Sequence, residues 1–367
     1  MLKTLPRFDF LLFLPMVFLF MLGYSALYST SRASADNQIV FFSVSLVFYF
    51  LFSFIDYHSL VALKNPIFIL SVFSLVAVYV LGEVTRGSSR WFTFGEFGLQ
   101  PSEFAKITLV ISLAGYLSKV FVKISLSKLL GTLTITLPLA ALVFIQPDLG
   151  TSIVLIAVWF FMVFYSGIPI PYIISIFSLG GIISYPFWNI LKEYQKNRLI
   201  SFFNPALDPL GRGYNVIQAK IAVGSGKILG RGFGRGTQSH LRFLPEYHTD
   251  FIFASFAEEW GFLGTILMLF LFLFLLLRIL QIAKSADCLG SLICVGVFSI
   301  ILVQLVVNVG MNIGIMPITG IPLPLISYGG SSLLTMMIFL GVVQSVAIHK
   351  SLDANDKALF DNVVSCG

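Results

Sequence analysis

Apolar runs of about 20 residues recur along nearly the whole sequence, separated by short polar breaks. Hydrocarbon holds no water to hydrogen-bond exposed backbone, so such a run must satisfy its own N–H and C=O groups, as a helix does. A bilayer core of ~30 Å takes about 20 helical residues to cross. Ten runs qualify, at approximately 9–28, 39–56, 66–84, 101–118, 129–147, 150–167, 170–190, 251–280, 288–312 and 332–349. The expected fold is an all-α polytopic membrane protein, a single integral-membrane domain over 1–367 with about ten transmembrane helices. Composition agrees, since 57% hydrophobic residues, 11% charged residues and 38 Phe exceed what a soluble core uses. The seventh run, broken by Gly180, Gly181 and Pro186, is the weakest. Ala33-Ser34-Ala35 before Asp36 has the form of a signal-peptidase site. The apolar run ahead of it is longer than a leader's usual stretch of about 7 to 15 residues, so the first helix is expected to remain. Cys288, Cys294 and Cys366 form no CxxC pair, and neither a disulfide framework nor a metal cluster is expected.

An even number of spans puts both termini on one side, and short-loop Lys and Arg mark the cytoplasm. Lys3, Arg7, Lys64, Lys119, Lys123, Lys128, Arg278, Lys284, Lys350 and Lys357 then fall inside, against Arg32, Arg86 and Arg90 in short outer loops. Both termini are expected to be cytoplasmic. The exception to the charge rule is a large, basic, Gly-rich outer loop at 191–250 between helices seven and eight, which carries Lys192, Lys196, Arg198, Arg212, Lys220, Lys227, Arg231, Arg235 and Arg242. So much positive charge beside a membrane suggests an anionic client, and no nucleic-acid partner is expected. The segment 314–331, before helix ten, is too apolar for an open loop and too rich in Pro and Gly for a helix. Irregular backbone of that kind is tolerated at membrane depth only when buried in protein or lining a cavity, so the segment is expected to re-enter the membrane.

Candidate site residues are the polar groups a bilayer should not contain. Leu244 to Phe253, running on through Glu258-Glu259-Trp260-Gly261, gathers a His and four acids where the polar loop meets an apolar run. A helix over 250–280 would align Asp250, Ala254, Ala257, Glu258 and Gly261 on one face, with Glu258 and Glu259 better read as structural partners for inward cations. Gln100 to Lys106 opens the fourth run, with Pro101 in the first turn, Ser102 as a candidate cap, and Glu103 and Lys106 on one face. That carboxylate and ammonium are either a structural ion pair or a Lys held ready for phosphate. Arg90-Trp91 fits a phosphate with its sugar or isoprenoid, or an interfacial anchor. Asp148 is most simply the cap of the sixth helix. Gly224 to Gly236 is neither a Walker loop, because Ile228 follows Lys227, nor a Rossmann fingerprint, but with Lys227, Arg231 and Arg235 it offers an anion nest or a flexible charged loop. Gln304, Asn308 and Asn312 place three amides on one face of the ninth run, which must look into the protein.

Taken together, Arg90-Trp91, Gln100 to Lys106, Gln146 to Gly150, Gly236-Thr237-Gln238-Ser239-His240, Leu244 to Glu259 and Gly320 to Ser332 closely resemble the SEDS family of bacterial wall proteins over nearly the whole chain. Gly236 to His240 and Gly320-Ile321-Pro322-Leu323-Pro324 are more like its elongation branch than its division branch. The resemblance implies a peptidoglycan glycosyltransferase in the bacterial cytoplasmic (inner) membrane. It would polymerise lipid II on the outer face, release undecaprenyl pyrophosphate, and partner a class B penicillin-binding protein acting as transpeptidase. Asp250 matches the family's essential aspartate and is the expected catalytic base. Arg90, Trp91, Glu103, Lys106, Lys227, Arg231, His248 and Ser327 are the expected substrate-binding residues. A divalent cation, Mg or Mn, could share in neutralising the leaving group, but no ligand cluster identifies one. Two rivals belong to other classes. A lipid II flippase would need polar residues continuing into the cytoplasmic half, and a non-catalytic scaffold would recruit the transpeptidase through the amide face of the ninth helix.

Overall fold

In the computed structural model, residues 8–85, 88–94, 97–119, 125–191, 193–203, 213–241 and 243–349 are described, and every one of the apolar runs lies on a helix. Lys3, Arg7, Arg86, Lys123, Lys192, Arg212, Arg242, Lys350, Lys357 and Cys366, part of the charge and cysteine reading above, lie outside the described residues.

Helices α1 (Phe10–Thr30) and α2 (Arg32–Phe54) form a hairpin around Ser31, an extended residue whose hydroxyl lies 3.4 Å from the amide of Ser34. That cap starts α2 seven residues ahead of its apolar run. Arg32 therefore sits in a first helical turn, 5.4 Å from the Tyr28 ring, rather than in the outer loop the sequence suggested. Asp9 caps α1 and also takes the guanidinium of Arg278 at 2.5 Å. After α3 (Tyr57–Ala62) and α4 (Lys64–Leu81), the stretch expected as an outer loop folds into a small antiparallel sheet, β1 (Glu83–Thr85), β2 (Ser88–Phe94) and β3 (Phe97–Leu99). Phe92 pairs with Leu99 and Phe94 with Phe97, so the sheet holds Arg90 and Trp91 in register over the end of the bundle.

Next come α5 (Pro101–Leu117), α6 (Leu126–Ile145), α7 (Leu149–Tyr165) and α8 (Ile170–Ile190). The segment 191–250 is more structured than an open loop: it contains α9 (Glu193–Phe203), α10 (Tyr214–Ser225) and α11 (Thr237–His240), and α10 packs on both α12 (Ile252–Lys284) and α13 (Cys288–Ile313). The chain ends its described part with α14 (Gly330–His349).

Among the described residues seven helices, α1, α2, α4, α6, α12, α13 and α14, are long and apolar enough to cross a membrane. The protein is a polytopic, mostly helical membrane protein. Burial sorts these helices: 83% of the apolar window of α14 is buried inside the protein against 17% for α4, whose Ile69, Leu70, Phe73 and Val80 are exposed as a lipid-facing side chain would be. Helices α13 and α14 are thus central, and α4 is peripheral.

The expected continuous helix over 250–280 is not what forms. Helix α12 starts at Ile252 and is interrupted at Gly261, whose φ of 66° and ψ of −164° only glycine tolerates. The Gly-rich loop fills this interruption. The amides of Arg231 and Gly232 donate to the carbonyls of Glu258 and Glu259 at 2.9 and 3.1 Å, and those of Phe262 and Leu263 donate to Lys227 and Ile228 at 2.9 and 3.1 Å. Backbone groups orphaned by the break are satisfied by the loop, as a buried helix end requires. The same bonds correct the anion-nest expectation, because the amides of Gly230, Arg231 and Gly232 are already donated to protein carbonyls.

Candidate active site

Asp250 lies half-buried in the turn before α12, and its position is set by the amide face of α13. The side-chain amides of Asn308 and Asn312 both donate to the Asp250 carbonyl at 3.1 Å. Asn308 donates as well to the Ile321 carbonyl at 2.8 Å, and the Asn312 side-chain oxygen accepts from the amide of Ala254 at 3.2 Å. Asn312 also donates to the backbone carbonyl and side-chain oxygen of Asn308 one turn earlier, at 2.8 and 3.3 Å, so the two amides brace each other while they join α13 to the start of α12 and to the irregular segment after α13. The inward-facing polar stripe expected from the sequence is therefore a bracket around Asp250. Gln304, also buried, makes no contribution to it among the bonds described.

The second half of the irregular segment 314–331 is packed in protein, with Ile321, Leu323, Leu325, Ile326 and Ser327 buried, while Ile315 in its first half is exposed. It holds the other side of the turn. The Ser327 hydroxyl donates to the Thr249 carbonyl at 2.7 Å and accepts from the Leu323 amide at 2.8 Å, while the Tyr328 amide donates to the His248 carbonyl at 2.9 Å. Gln38 of α2, a residue the sequence did not single out, reads the segment from behind. Its side chain donates to the Ser327 carbonyl and accepts from the Gly329 amide, both at 3.2 Å. Gln38 ends a short polar stretch, Asp36-Asn37-Gln38, at the edge of an apolar run, and so gave no separate signal.

A pocket of about 400 Å³ opens beside this turn, lined by Phe41, Val44, Trp91, Leu99, His248, Thr249, Tyr328 and Leu334 among others. Trp91 and His248, both expected at the site, meet here. The rest of the wall is mostly apolar and carries no charged side chain, so it suits a hydrocarbon chain better than a charged group.

The remaining candidates fall into two groups. On α5, Lys106 sits 2.8 Å from the Glu103 carboxylate, and both side chains are almost fully buried. Ser102 does not cap α5: its hydroxyl donates to Asp148 at 3.4 Å, and Gln100 donates to the same carboxylate at 3.2 Å. Asp148 caps α7 as expected, accepting from the Thr151 amide at 3.1 Å, and so ties two helix starts together. Arg90 donates to the Gln146 carbonyl at 2.7 Å and to that of Pro147, which bends its guanidinium over the turn between α6 and α7. Ser331 links this group to the site, donating to the Gly98 carbonyl at 2.7 Å and accepting from the Gln100 amide at 3.1 Å.

Lys227 and Arg231 form the second group, at the α12 break about three turns from Asp250. Arg231 donates to the Thr237 hydroxyl at 3.0 Å and lies 3.8 Å from Glu258, whose carboxylate accepts from the amides of Thr237 and Gln238 at 2.7 and 3.1 Å. Glu259 accepts from Ser29 at 2.5 Å and faces His240 at 3.7 Å. Both glutamates act as the structural partners the sequence suggested. Among the described residues no three His, Cys, Asp or Glu side chains gather to hold a metal.

A helical membrane bundle with a buried irregular segment and a carboxylate at its polar end defines the class. The sequence matches the FtsW, RodA and SpoVE family of cell cycle proteins over residues 3–352, and the chain belongs to that family, the SEDS family. It is 39% identical over 288 residues to the peptidoglycan glycosyltransferase MrdB of Escherichia coli strain K12, covering 78% of each chain. It is 36% identical to the peptidoglycan glycosyltransferase RodA of Treponema pallidum, covering 94% of this chain and 98% of that one. Among solved structures it superimposes with a TM-score of 0.83, at 31% identity over 94% of this chain and 98% of the other, on a chain from a peptidoglycan synthase complex described as coordinating polymerization and crosslinking.

Proposed function

We propose that this protein is a peptidoglycan glycosyltransferase that polymerises lipid II, with Asp250 as the catalytic base. The observation that carries the reading is the placement of Asp250: its carbonyl is clamped by Asn308 and Asn312 while the adjoining His248 and Thr249 line the apolar pocket. A lipid-linked sugar needs that pairing of a hydrocarbon groove with a fixed proton acceptor.

In the proposed step the acceptor sugar's 4-hydroxyl oxygen attacks the donor's anomeric carbon, and its proton passes to the Asp250 carboxylate. The anomeric carbon–oxygen bond breaks, its electron pair leaves with undecaprenyl pyrophosphate, and the anomeric configuration inverts. Trp91 and His248 shape the pocket for the isoprenoid. Lys106, oriented by Glu103, and Arg90 supply positive charge for the leaving group, with Lys227 and Arg231 further out and Ser327 holding the Thr249 turn.

The proposed topology has ten spans, both termini cytoplasmic, segment 314–331 re-entering the membrane, and the site on the outer face of the bacterial inner membrane. A transpeptidase of the class B penicillin-binding type is the proposed partner, supported by the likeness to a polymerizing and crosslinking complex. The proposed role, from the similarity to MrdB and RodA, is cell-wall elongation. Against a flippase stands the distribution of charge. The charged side chains buried among the described residues are Glu103, Lys106, Asp148, Glu258 and Glu259, all close to the same end of the bundle as Asp250.

The test is purified protein given lipid II. Asp250→Asn is expected to lower polymerisation by about 10²- to 10⁴-fold, the usual contribution of a general base. Undiminished glycan synthesis by a variant with the wild-type melting temperature would sink the assignment.

A further inference from the structure

Asp250 has a second neighbour in a residue that does not line the apolar pocket. That residue, Gly320, has a φ of 75°, and a Cβ built on it would stand 3.5 Å from the Asp250 carboxylate oxygen and 4.0 Å from the Arg198 guanidinium. The tips of Asp250 and Arg198 therefore flank one bare stretch of backbone. Arg198 belongs to α9, in the segment that sequence reading treated as a loop, and it donates to the Thr319 carbonyl at 3.2 Å. Behind it, a cleft of about 440 Å³ is lined by Glu193, Asn197, Ser201, Asn215 and Ile318 as well as Arg198.

This cleft differs in kind from the apolar pocket. It offers two amides and a hydroxyl above an aliphatic floor of Ile318 and Val216, the combination that meets a sugar's hydroxyl and acetamido groups on one side and its C–H face on the other. Its two lining charges are of opposite sign, Arg198, which donates to the Thr319 carbonyl, and Glu193, an exposed carboxylate 3.4 Å from Lys196, so the wall presents no net positive charge to a phosphate. Recognition then falls to the neutral groups, which favours a saccharide over a phosphate.

We propose that the cleft between α9 and α10 is a subsite for the N-acetylated glycan whose hydroxyl Asp250 deprotonates. Asn197, Ser201 and Asn215 bind the sugar. Arg198 is a positioning residue that fixes the Thr319–Gly320 backbone beside Asp250, and Gly320 keeps the passage from cleft to carboxylate open. The lipid lies on one side of Asp250 and the sugar on the other. This rests on the glycosyltransferase reading and extends it to a residue-level account of the sugar.

The experiment uses the full chain in detergent, with two readouts. One is contact with a lipid-free probe, the β-1,4-linked tetramer of N-acetylglucosamine, followed by saturation-transfer NMR. The other is lipid II polymerisation resolved into KM and kcat. Asn197→Ala and Asn215→Ala are expected to abolish the tetramer signal and raise KM about tenfold with kcat little changed, while Asp250→Asn keeps the tetramer signal and loses turnover. Arg198→Ala is expected to lower kcat, with partial rescue by Arg198→Lys. Melting temperatures select the variants that remain folded, and Ser201→Ala is a further binding variant should either Asn replacement fail to fold. The proposal is overturned if folded cleft variants keep both the tetramer signal and the wild-type KM, or if inorganic pyrophosphate displaces the tetramer, which would mark an anion site. Inactive wild-type protein whose tetramer signal still depends on Asn197 and Asn215 would refute the enzymatic reading and leave the sugar subsite standing.

Discussion

Asn308 and Asn312 show how a residue can matter to a site without touching a substrate. Each donates to the Asp250 carbonyl, and Asn308 also holds Ile321, so the carboxylate is aimed by two helix-borne amides rather than by its own turn. Replacing Asn308 with Leu leaves the Ile321 carbonyl without that donor in a buried setting, at a cost of about 1 to 3 kcal/mol. The expected outcome of Asn308→Leu is a lower melting temperature and roughly tenfold slower lipid II polymerisation, read by thermal denaturation and gel analysis of the glycan; unchanged values for both would show that the bracket is dispensable. The spacing of the three amides was legible in the sequence, as was the inward direction they must take. Their target was not, because Asp250 and Ile321 reach α13 from 58 positions upstream and 13 downstream.

Helix α12 carries the lesson at the scale of an element. Its composition reads as one unbroken apolar helix, and Gly261 at an interior position costs only about 1 kcal/mol relative to Ala, too weak a signal to predict a break. The break exists because the Gly-rich loop supplies partners for the freed backbone groups. A Cβ on Gly261 would fall 2.1 Å from the Gly230 nitrogen, a backbone atom that cannot swing aside. Gly261→Ala is thus expected to destabilise the protein by more than the roughly 1 to 3 kcal/mol that an L-residue costs in this backbone region alone. Thermal denaturation in detergent checks this, with hydrogen exchange expected to rise first at 226–232 and 258–263. The small sheet over 83–99 was equally hidden, since its strands are short and each pairing is local to a stretch that reads as a loop.

At the scale of the molecule, α13 connects two polar ends. The helix is 26 residues long, and its end opposite the asparagine bracket starts from Asp287, which caps α13 through the Gly290 amide at 2.8 Å and accepts from the Tyr57 hydroxyl at 2.7 Å. His58 lies 3.4 Å from Asp287 and 3.0 Å from Asp56, with His349 adding positive charge near Asp56. Burial pulls the His58 pKa down, but the hydrogen bond its ring donates to Asp56 and the charges of Asp287 and Asp56 outweigh it and hold the pKa above its ordinary 6.5. Burial likewise raises the Asp56 pKa, and the hydrogen bonds and charge of His58 more than reverse that, leaving it below its ordinary 3.8. The His58 contribution to stability is complete below pH about 6.5 and is lost as pH rises through its folded pKa; the Asp56 contribution is present above pH about 4 and is lost in stronger acid. The melting temperature is therefore expected to decline as pH rises from 6 to 9 by an amount that His58→Gln removes, and an identical decline in the variant would refute the assignment.

By itself the sequence determined what each stretch must do with its own backbone. Apolar runs near 20 residues have to be helices in lipid, Asp148 has to satisfy the start of α7, and polar groups such as Asn308, Lys106 and Asp250 have to face inward. Those requirements are local, and the structure meets them for the helices, for Asp148 and for the buried Asn308 and Lys106, while Asp250 stays half-buried at a helix start. What only the tertiary structure decided is which distant group answers each demand. The loop fills the break in α12, Gln38 reads the buried irregular segment, and α9 comes to stand across Gly320 from Asp250. Partnership across the bundle depends on helix packing, and packing is a property of surfaces meeting in space rather than of residue order.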